Sequence, residues 1–126
     1  MGNQRKFYRC EICGNLVGLI EDGGGKLVCC GRDMTLILPN TEDASQEKHV
    51  PVVRRENGKL FVDVGSVLHP MIPEHHIKWI AVAQGNKTIR VSLDVTDAPS
   101  ASFCVNDGAF TAYAYCNIHG LWMCEF

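Results

Sequence analysis

The sequence predicts an all-β protein in two parts: a small segment held together by a metal, then an antiparallel β-sandwich. Three observations predict it. Four of the seven cysteines fall within the first 30 residues, among glycines and short apolar runs. From His49 onward, short runs rich in Val, Ile, Phe, Tyr and Trp recur with turn signals between them. No long stretch carries the 3.6-residue period of an amphipathic helix.

The boundary is expected near Pro39, with residues 1–38 as the first part and 39–126 as the second. The first part contains "LVGLI" and Gly23-Gly24-Gly25. It is too short to bury a sizeable core, and segments of this size usually need a metal or disulfides. Short strands and turns around a metal are expected. "NTEDASQEK" follows as a polar linker, with Thr41 available to cap at most one short turn of helix. Next come "VPVVRRE" and "KLFVDVG", which flank Asn57-Gly58, a strong hairpin signal. Leu60, Val62 and Val64 alternate with Phe61 and Asp63, as in a strand with one buried face. "IKWIAVA" and "TIRVSLDV" flank "QGNK" as a second hairpin. "ASFCV" and "FTAYAYC" flank "NDGA", and "LWMCEF" closes the chain. About seven short strands with regular turns suggest a sandwich.

Bulk properties narrow the function. The chain has 126 residues, 46% hydrophobic and 21% charged, a globular mixture. A formal net charge of -2 supplies no basic footprint for nucleic acid and no global field to steer an anion. No apolar run approaches the ~18 residues a membrane helix needs. The start, "MGNQRKFYRCEICG", has no secretory apolar core, and Lys6 stands where a myristoylation signal would place Ser or Thr. A cytoplasmic protein is expected, and clustered cysteines there suit metal binding better than disulfides.

Cys10 and Cys13 form C-x-x-C, and Cys29 and Cys30 follow as neighbours. Four thiolates suit a tetrahedral zinc or iron, and composition alone favours zinc. Adjacent ligands open their angle less freely than a C-x-x-C pair, so a distorted tetrahedron is expected. A second donor set centres on "YCNIHGLW", where Cys116 and His119 stand three apart. The remaining histidines, His49, His69, His75 and His76, lie in "EKHVP" and "LHPMIPEHH", near Pro51, Pro70 and Pro73, whose fixed φ stiffens the chain. Four imidazoles and one thiolate make five donors, more than structural zinc takes. That number suits a square-pyramidal metal with one coordination position left for a small molecule. Cys104 and Cys124 lie in apolar strands and are expected to be buried thiols. Trp79 and Trp122 are expected to pack, with Trp122 also walling the second site.

The motifs "YRCEICGN…LVCCGRDM", "EKHVPV", "VGSVLHPMIPEHH" and "YCNIHGLW" together resemble the desulfoferrodoxins, the two-iron class of superoxide reductase, through nearly the whole chain. The resemblance implies a small desulforedoxin-like domain and an immunoglobulin-like sandwich, usually paired as a homodimer. It implies one iron bound by Cys10, Cys13, Cys29 and Cys30. A second iron would be held in its equatorial plane by His49, His69, His75 and His119, with Cys116 as the axial ligand. His76 stands where the family carries Tyr or Trp, and the family spacing from His69 selects His75 as the ligand. The implied reaction is one-electron reduction of superoxide to hydrogen peroxide, fed by a rubredoxin-like protein or an NAD(P)H-dependent reductase.

Taken alone, Lys48 is an ordinary exposed lysine and Glu47 a solvated acid. The resemblance gives Lys48 the attraction of superoxide and help with proton delivery, and Glu47 a carboxylate able to close the open position. Two other readings compete: a non-catalytic iron electron-transfer protein, and a zinc-stabilised binding module.

Overall fold

A computed structural model of the chain describes residues 3–42 and 48–126. Among them are twelve strands and no helix, hence no helix long and apolar enough to cross a membrane. The chain divides into two compact units, Gln4–Leu38 and Pro39–Phe126, and Asn3 groups with the latter. Asn3 Oδ1 accepts the Gly85 N–H at 2.6 Å.

The smaller unit holds β1 (Lys6–Arg9), β2 (Leu16–Leu19), β3 (Val28–Cys29), β4 (Arg32–Asp33) and β5 (Thr35–Ile37). β1 is the centre of an antiparallel sheet in the order β2-β1-β5, and β3-β4 is a separate ribbon. Only Phe7 and Cys10 are buried among residues 4–38. So little apolar burial cannot offset the entropy of ordering such a chain by itself. In β3-β4, Cys29 pairs with Arg32, so Cys30 and Gly31 form a two-residue turn. Both have positive φ, 53° and 73°. That is the backbone of a primed hairpin turn, rare for a residue with a side chain.

The larger unit comprises β6 (Pro51–Glu56), β7 (Lys59–Val64), β8 (Ile77–Gln84), β9 (Lys87–Ser92), β10 (Ser100–Cys104), β11 (Thr111–Cys116) and β12 (Gly120–Glu125). They form an antiparallel three-stranded sheet, β10-β7-β6, and a four-stranded one, β12-β11-β8-β9. The β6–β7 hairpin turns at Asn57-Gly58 with φ of 51° and 78°, as the dipeptide predicts. The β8–β9 hairpin turns after the Gln84–Lys87 pair, with Gly85 at positive φ. Leu60, Val62 and Val64 of β7 and Phe103 of β10 are buried with Ile80 and Val82 of β8, and Ala112, Ala114 and Cys116 of β11.

The runs flanking "NDGA" do not pair with each other. β10 pairs with β7, and β11 with β8 and β12, so the segment between β10 and β11 carries the chain from one sheet to the other. Phe110 anchors the crossing: it is buried, its backbone exchanges two hydrogen bonds with Phe126, and its ring stacks on that of Phe126. A bulge between Tyr115 and Cys116 leaves Lys78, between Trp79 and Ile77, without a register partner on β11. The extra residue keeps Ile77 on the core face, three residues from Ile80, and bends β8 where it leaves His75-His76.

One expectation fails here. Cys104 is exposed, because Phe103 takes the inward position and the next residue of a strand points to the other side. Cys124 does pack against the core, and burial pushes its thiol up to about 12, against a smaller opposing effect of the Ala112 backbone.

Candidate metal centres

The four cysteines of the smaller unit converge. Their sulfurs all lie within 4.8 Å of one another. Cys13 Sγ is 3.6 Å from Cys29 Sγ, and Cys29 Sγ is 3.9 Å from Cys30 Sγ. Metal–sulfur bonds of about 2.3 Å in a tetrahedron imply sulfur–sulfur edges of about 3.8 Å. The sulfurs are therefore spaced for one ion, and no disulfide joins them.

The local backbone explains the convergence. Gly14, at positive φ, closes the Cys10–Cys13 turn through Gly14 N to Cys10 O at 2.9 Å. The turn aims N–H groups at sulfur: Cys13 N lies 3.5 Å from Cys10 Sγ, and Asn15 N lies 3.4 Å from Cys13 Sγ. The positive φ of Cys30 lets two adjacent residues present both sulfurs to one point. The backbone N–H of Cys13, and then that of Ile12, lowers the Cys10 thiol to about 6. Hydrogen bonding with Cys13, then with Cys10 and Cys29, pushes Cys30 up to about 12, and the Cys29 thiol is raised as well, chiefly by Cys13. One negative charge is easily held here and four are not, unless a cation neutralises them.

The second donor set lies in the sandwich unit. Ligand atoms of His49, His75, Cys116 and His119 lie within 4.8 Å of one another. His69 falls outside that tight set, yet its ring is 4.5 Å from both His49 and His75, centroid to centroid. His119 is 5.0 Å from both as well, and His49 is 6.3 Å from His75. Four edges of 4.5 to 5.0 Å and one diagonal of 6.3 Å describe a near-square in the order His49, His69, His75, His119. Neighbouring rings stand at 63° to 83°, like blades around a hub. Cys116 is fully buried at the end of β11, with Sγ 3.9 Å from His119 Nδ1. His49 and His69 are buried too, whereas solvent reaches His75 and His119. The soft donor thus lies on the core side of the ring.

Each imidazole is aimed by identifiable contacts. His69 Nδ1 is 2.8 Å from the Pro70 carbonyl, which leaves the buried Nε2 for the hub. His75 exchanges backbone hydrogen bonds with Ile72 at 3.0 and 3.1 Å. His76 turns away: its Nδ1 is 3.0 Å from the Ile72 carbonyl. Trp122 stacks on His49 at 4.5 Å and 15°, and its indole N–H donates to the His119 carbonyl at 3.1 Å. Trp122 does wall the site, as expected, and it touches two of the four histidine segments. The strand carrying it also hydrogen-bonds Asn40, near the start of the segment leading to His49, through Leu121 O and Met123 N.

Lys48 precedes His49 and is partly buried. A Cβ at Gly65 would lie 2.5 Å from the Lys48 carbonyl oxygen, so the Lys48–His49 segment passes the end of β7 only because residue 65 lacks a side chain. Glu47 lies outside the described residues. Nothing in the residue pattern singles out Asn117 or Gly65. Both stand inside the motifs, but their partners are distant in the chain, so only a known fold reveals their use.

Four thiolates fit a closed tetrahedral ion, zinc or iron. Four imidazoles and a thiolate exceed the four donors of structural zinc and suit a mononuclear iron. The folds and sites therefore define a class: a two-centre β-metalloprotein with one all-sulfur centre and one nitrogen–sulfur centre. Comparison with known proteins narrows it. The desulfoferrodoxin family model matches residues 41–125, and the model of the desulfoferrodoxin N-terminal domain matches residues 2–37. A desulfoferrodoxin of Syntrophotalea carbinolica is 45% identical over 125 residues, 99% of each chain. Desulforedoxin of Megalodesulfovibrio gigas is 56% identical over 34 residues, which is 27% of this chain and 92% of that one. The crystal structure of the superoxide reductase from Treponema pallidum superposes with a TM-score of 0.79 at 28% identity, covering 98% of this chain and 99% of that one. The chain belongs to the desulfoferrodoxin family.

Proposed function

We propose that this chain is a superoxide reductase with two mononuclear iron sites. The near-square of imidazoles above a buried thiolate carries the reading, together with family membership and likeness to a solved superoxide reductase. His49, His69, His75, His119 and Cys116 would hold the catalytic iron. Cys10, Cys13, Cys29 and Cys30 hold the other iron. Residues 1–38 are then the four-cysteine iron domain and 39–126 the catalytic domain.

Bound at the histidine centre, ferrous iron supplies one electron, so that superoxide and two protons become hydrogen peroxide. The chain's own groups do the rest. The imidazoles, stiffened by proline-rich loops, leave the solvent side of the hub for a small anion. Lys48 is a compact ammonium beside His49; it draws superoxide locally, since the net charge of -2 cannot, and relays protons through water. Glu47, by the family resemblance, would offer the iron a hard oxygen donor. The four-cysteine centre has no position for substrate and serves electron transfer or structure. A rubredoxin-like protein or an NAD(P)H-dependent reductase is the donor. The homodimer is the working assembly, the cytoplasm the compartment, and superoxide detoxification the role. Family resemblance supports these last assignments.

The test is metal analysis followed by a superoxide assay. Two irons per chain, and one peroxide per superoxide consumed without oxygen release, are expected. Zinc at the histidine centre would sink the reading, as would iron there that leaves superoxide untouched. Oxygen evolution during superoxide loss would mean dismutation instead.

A further inference from the structure

His75 and the Cys116–His119 pair come from separate loops, and the sequence gives no reason why they should stay in register. His75 lies in a tight loop closed on Ile72, which orders that loop internally but does not tie it to the β11–β12 turn. Asn117 supplies the tie. Its backbone N–H donates to the His76 carbonyl at 3.1 Å. Its Oδ1 accepts the His76 N–H at 2.9 Å. Its Nδ2 donates to the Glu74 carbonyl at 3.0 Å. Oδ1 also stands 3.9 Å from Cys116 Sγ. One side chain thus grips the residues before and after His75, while its backbone follows Cys116 directly in the chain. An amide is needed, because one oxygen must accept and one nitrogen must donate.

We infer that Asn117 is a positioning residue that locks the His75 loop onto the Cys116–His119 turn and so sets the geometry of the nitrogen–sulfur centre. The inference rests on the metal reading given above. It predicts that losing the amide loosens two donors at once, although Asn117 itself contacts no metal. Partners that orient metal ligands in this way typically matter about 10-fold or more in metal affinity.

The experiment compares iron release to a ferrous chelator from the full chain, wild type against Asn117→Ala, using the four-cysteine centre of the same chain as internal reference. The thiolate-to-iron absorption band of the oxidised histidine centre is recorded in parallel. Asn117→Ala is expected to release iron from the histidine centre about 10-fold faster, to shift that band, and to leave the four-cysteine centre unchanged. Asn117→Asp keeps the acceptor for His76 but loses the donor to Glu74. It is expected to fall between wild type and Ala, and it carries the test if the Ala variant does not fold. Asp97→Ala removes the Asp97 carboxylate that accepts the Asp94 N–H at 2.7 Å, between β9 and β10. This variant controls for general loosening and should move neither readout. Wild-type release with an unshifted band in both Asn117 variants would overturn the inference, as would an equal effect from Asp97→Ala. Wild-type protein that holds no iron at the histidine centre would instead overturn the reading beneath it.

Discussion

The two metal centres are built by opposite means. In the smaller unit the ligands are the fold. Among residues 4–38 only Phe7 and Cys10 are buried, and the sulfurs sit in turns that have little else to hold them. In the larger unit a core of Leu60, Val62, Val64, Ile80, Val82 and Phe103 forms first in importance, and the ligands are mounted at its margin. A metal serves as glue in the first unit and as a tool in the second. Sulfur suits the first task because four thiolates close a tetrahedron and leave nothing open. Mixed imidazole and thiolate ligands suit the second, because a rigid scaffold can hold five donors to one side.

The contrast can be broken most sharply by removing a thiolate. Cys13→Ala should abolish slow amide exchange throughout Gln4–Leu38 while leaving that of the sandwich intact, measured by hydrogen exchange on the full chain. Structural tetrathiolate-type sites contribute apparent free energies of roughly 10 kcal/mol or more, far beyond what one buried Phe can replace. Protection in the small unit that survived this change would show that its fold does not depend on metal.

The complementary test strikes the other unit's core. Leu60→Ala deletes a fully buried side chain and should cost about 2–5 kcal/mol of sandwich stability, read by chemical denaturation, with the four-cysteine absorption unaltered before the transition. A cost under 1 kcal/mol would mean that Leu60 is not the core residue its burial implies.

A smaller effect sharpens the comparison at the tool end. Lys48→Ala should slow the second-order reaction with superoxide several-fold at low salt and flatten its ionic-strength dependence, because screening shortens the reach of a single charge. Pulse-generated superoxide provides the measurement, and an unchanged rate at low salt would remove Lys48 from steering.

The least effect is expected at the Lys6–Asp22 pair, 2.9 Å apart on the surface of the small unit. The Lys6 bond, followed by the Gly24 N–H, holds the Asp22 carboxyl below its ordinary range, and Asp22 raises Lys6. A depressed carboxyl stabilises above its unfolded value and loses that stabilisation as pH falls through the folded one. A raised lysine stabilises below its unfolded value and loses it as pH rises through the folded one. Both contributions are therefore present at neutral pH. Protection of the Gly24 amide, which donates to Asp22 Oδ1 at 2.9 Å, should decline on acidification below the ordinary aspartate range and be insensitive to that change in Asp22→Asn.

Much of the architecture was legible in local chemistry. Asn57-Gly58 announced its hairpin because only residues tolerant of positive φ turn a chain in two steps, and the alternation from Leu60 to Val64 declared which face of β7 is buried. The donor sets were legible because cysteine and histidine at turn spacing have few other uses in company. Cys104 misled: an apolar neighbourhood in sequence says nothing about which side of a strand a residue takes. The change of sheet at Phe110 was equally hidden, since a turn signal does not reveal whether the flanking strands will pair.

The chemistry available is written in the residue order: four sulfurs in one short segment, and imidazoles and a thiol at loop positions between β-strands. Tertiary structure alone decided the near-square order of the four rings, the core-side position of Cys116, the stacking of Trp122 on His49 and the grip of Asn117 on the His75 loop. The reason is distance along the chain. Spacing within a turn follows from backbone geometry over a few residues, whereas bringing residues 49, 75 and 116 together requires two sheets to pack first, and packing is a property of the whole core.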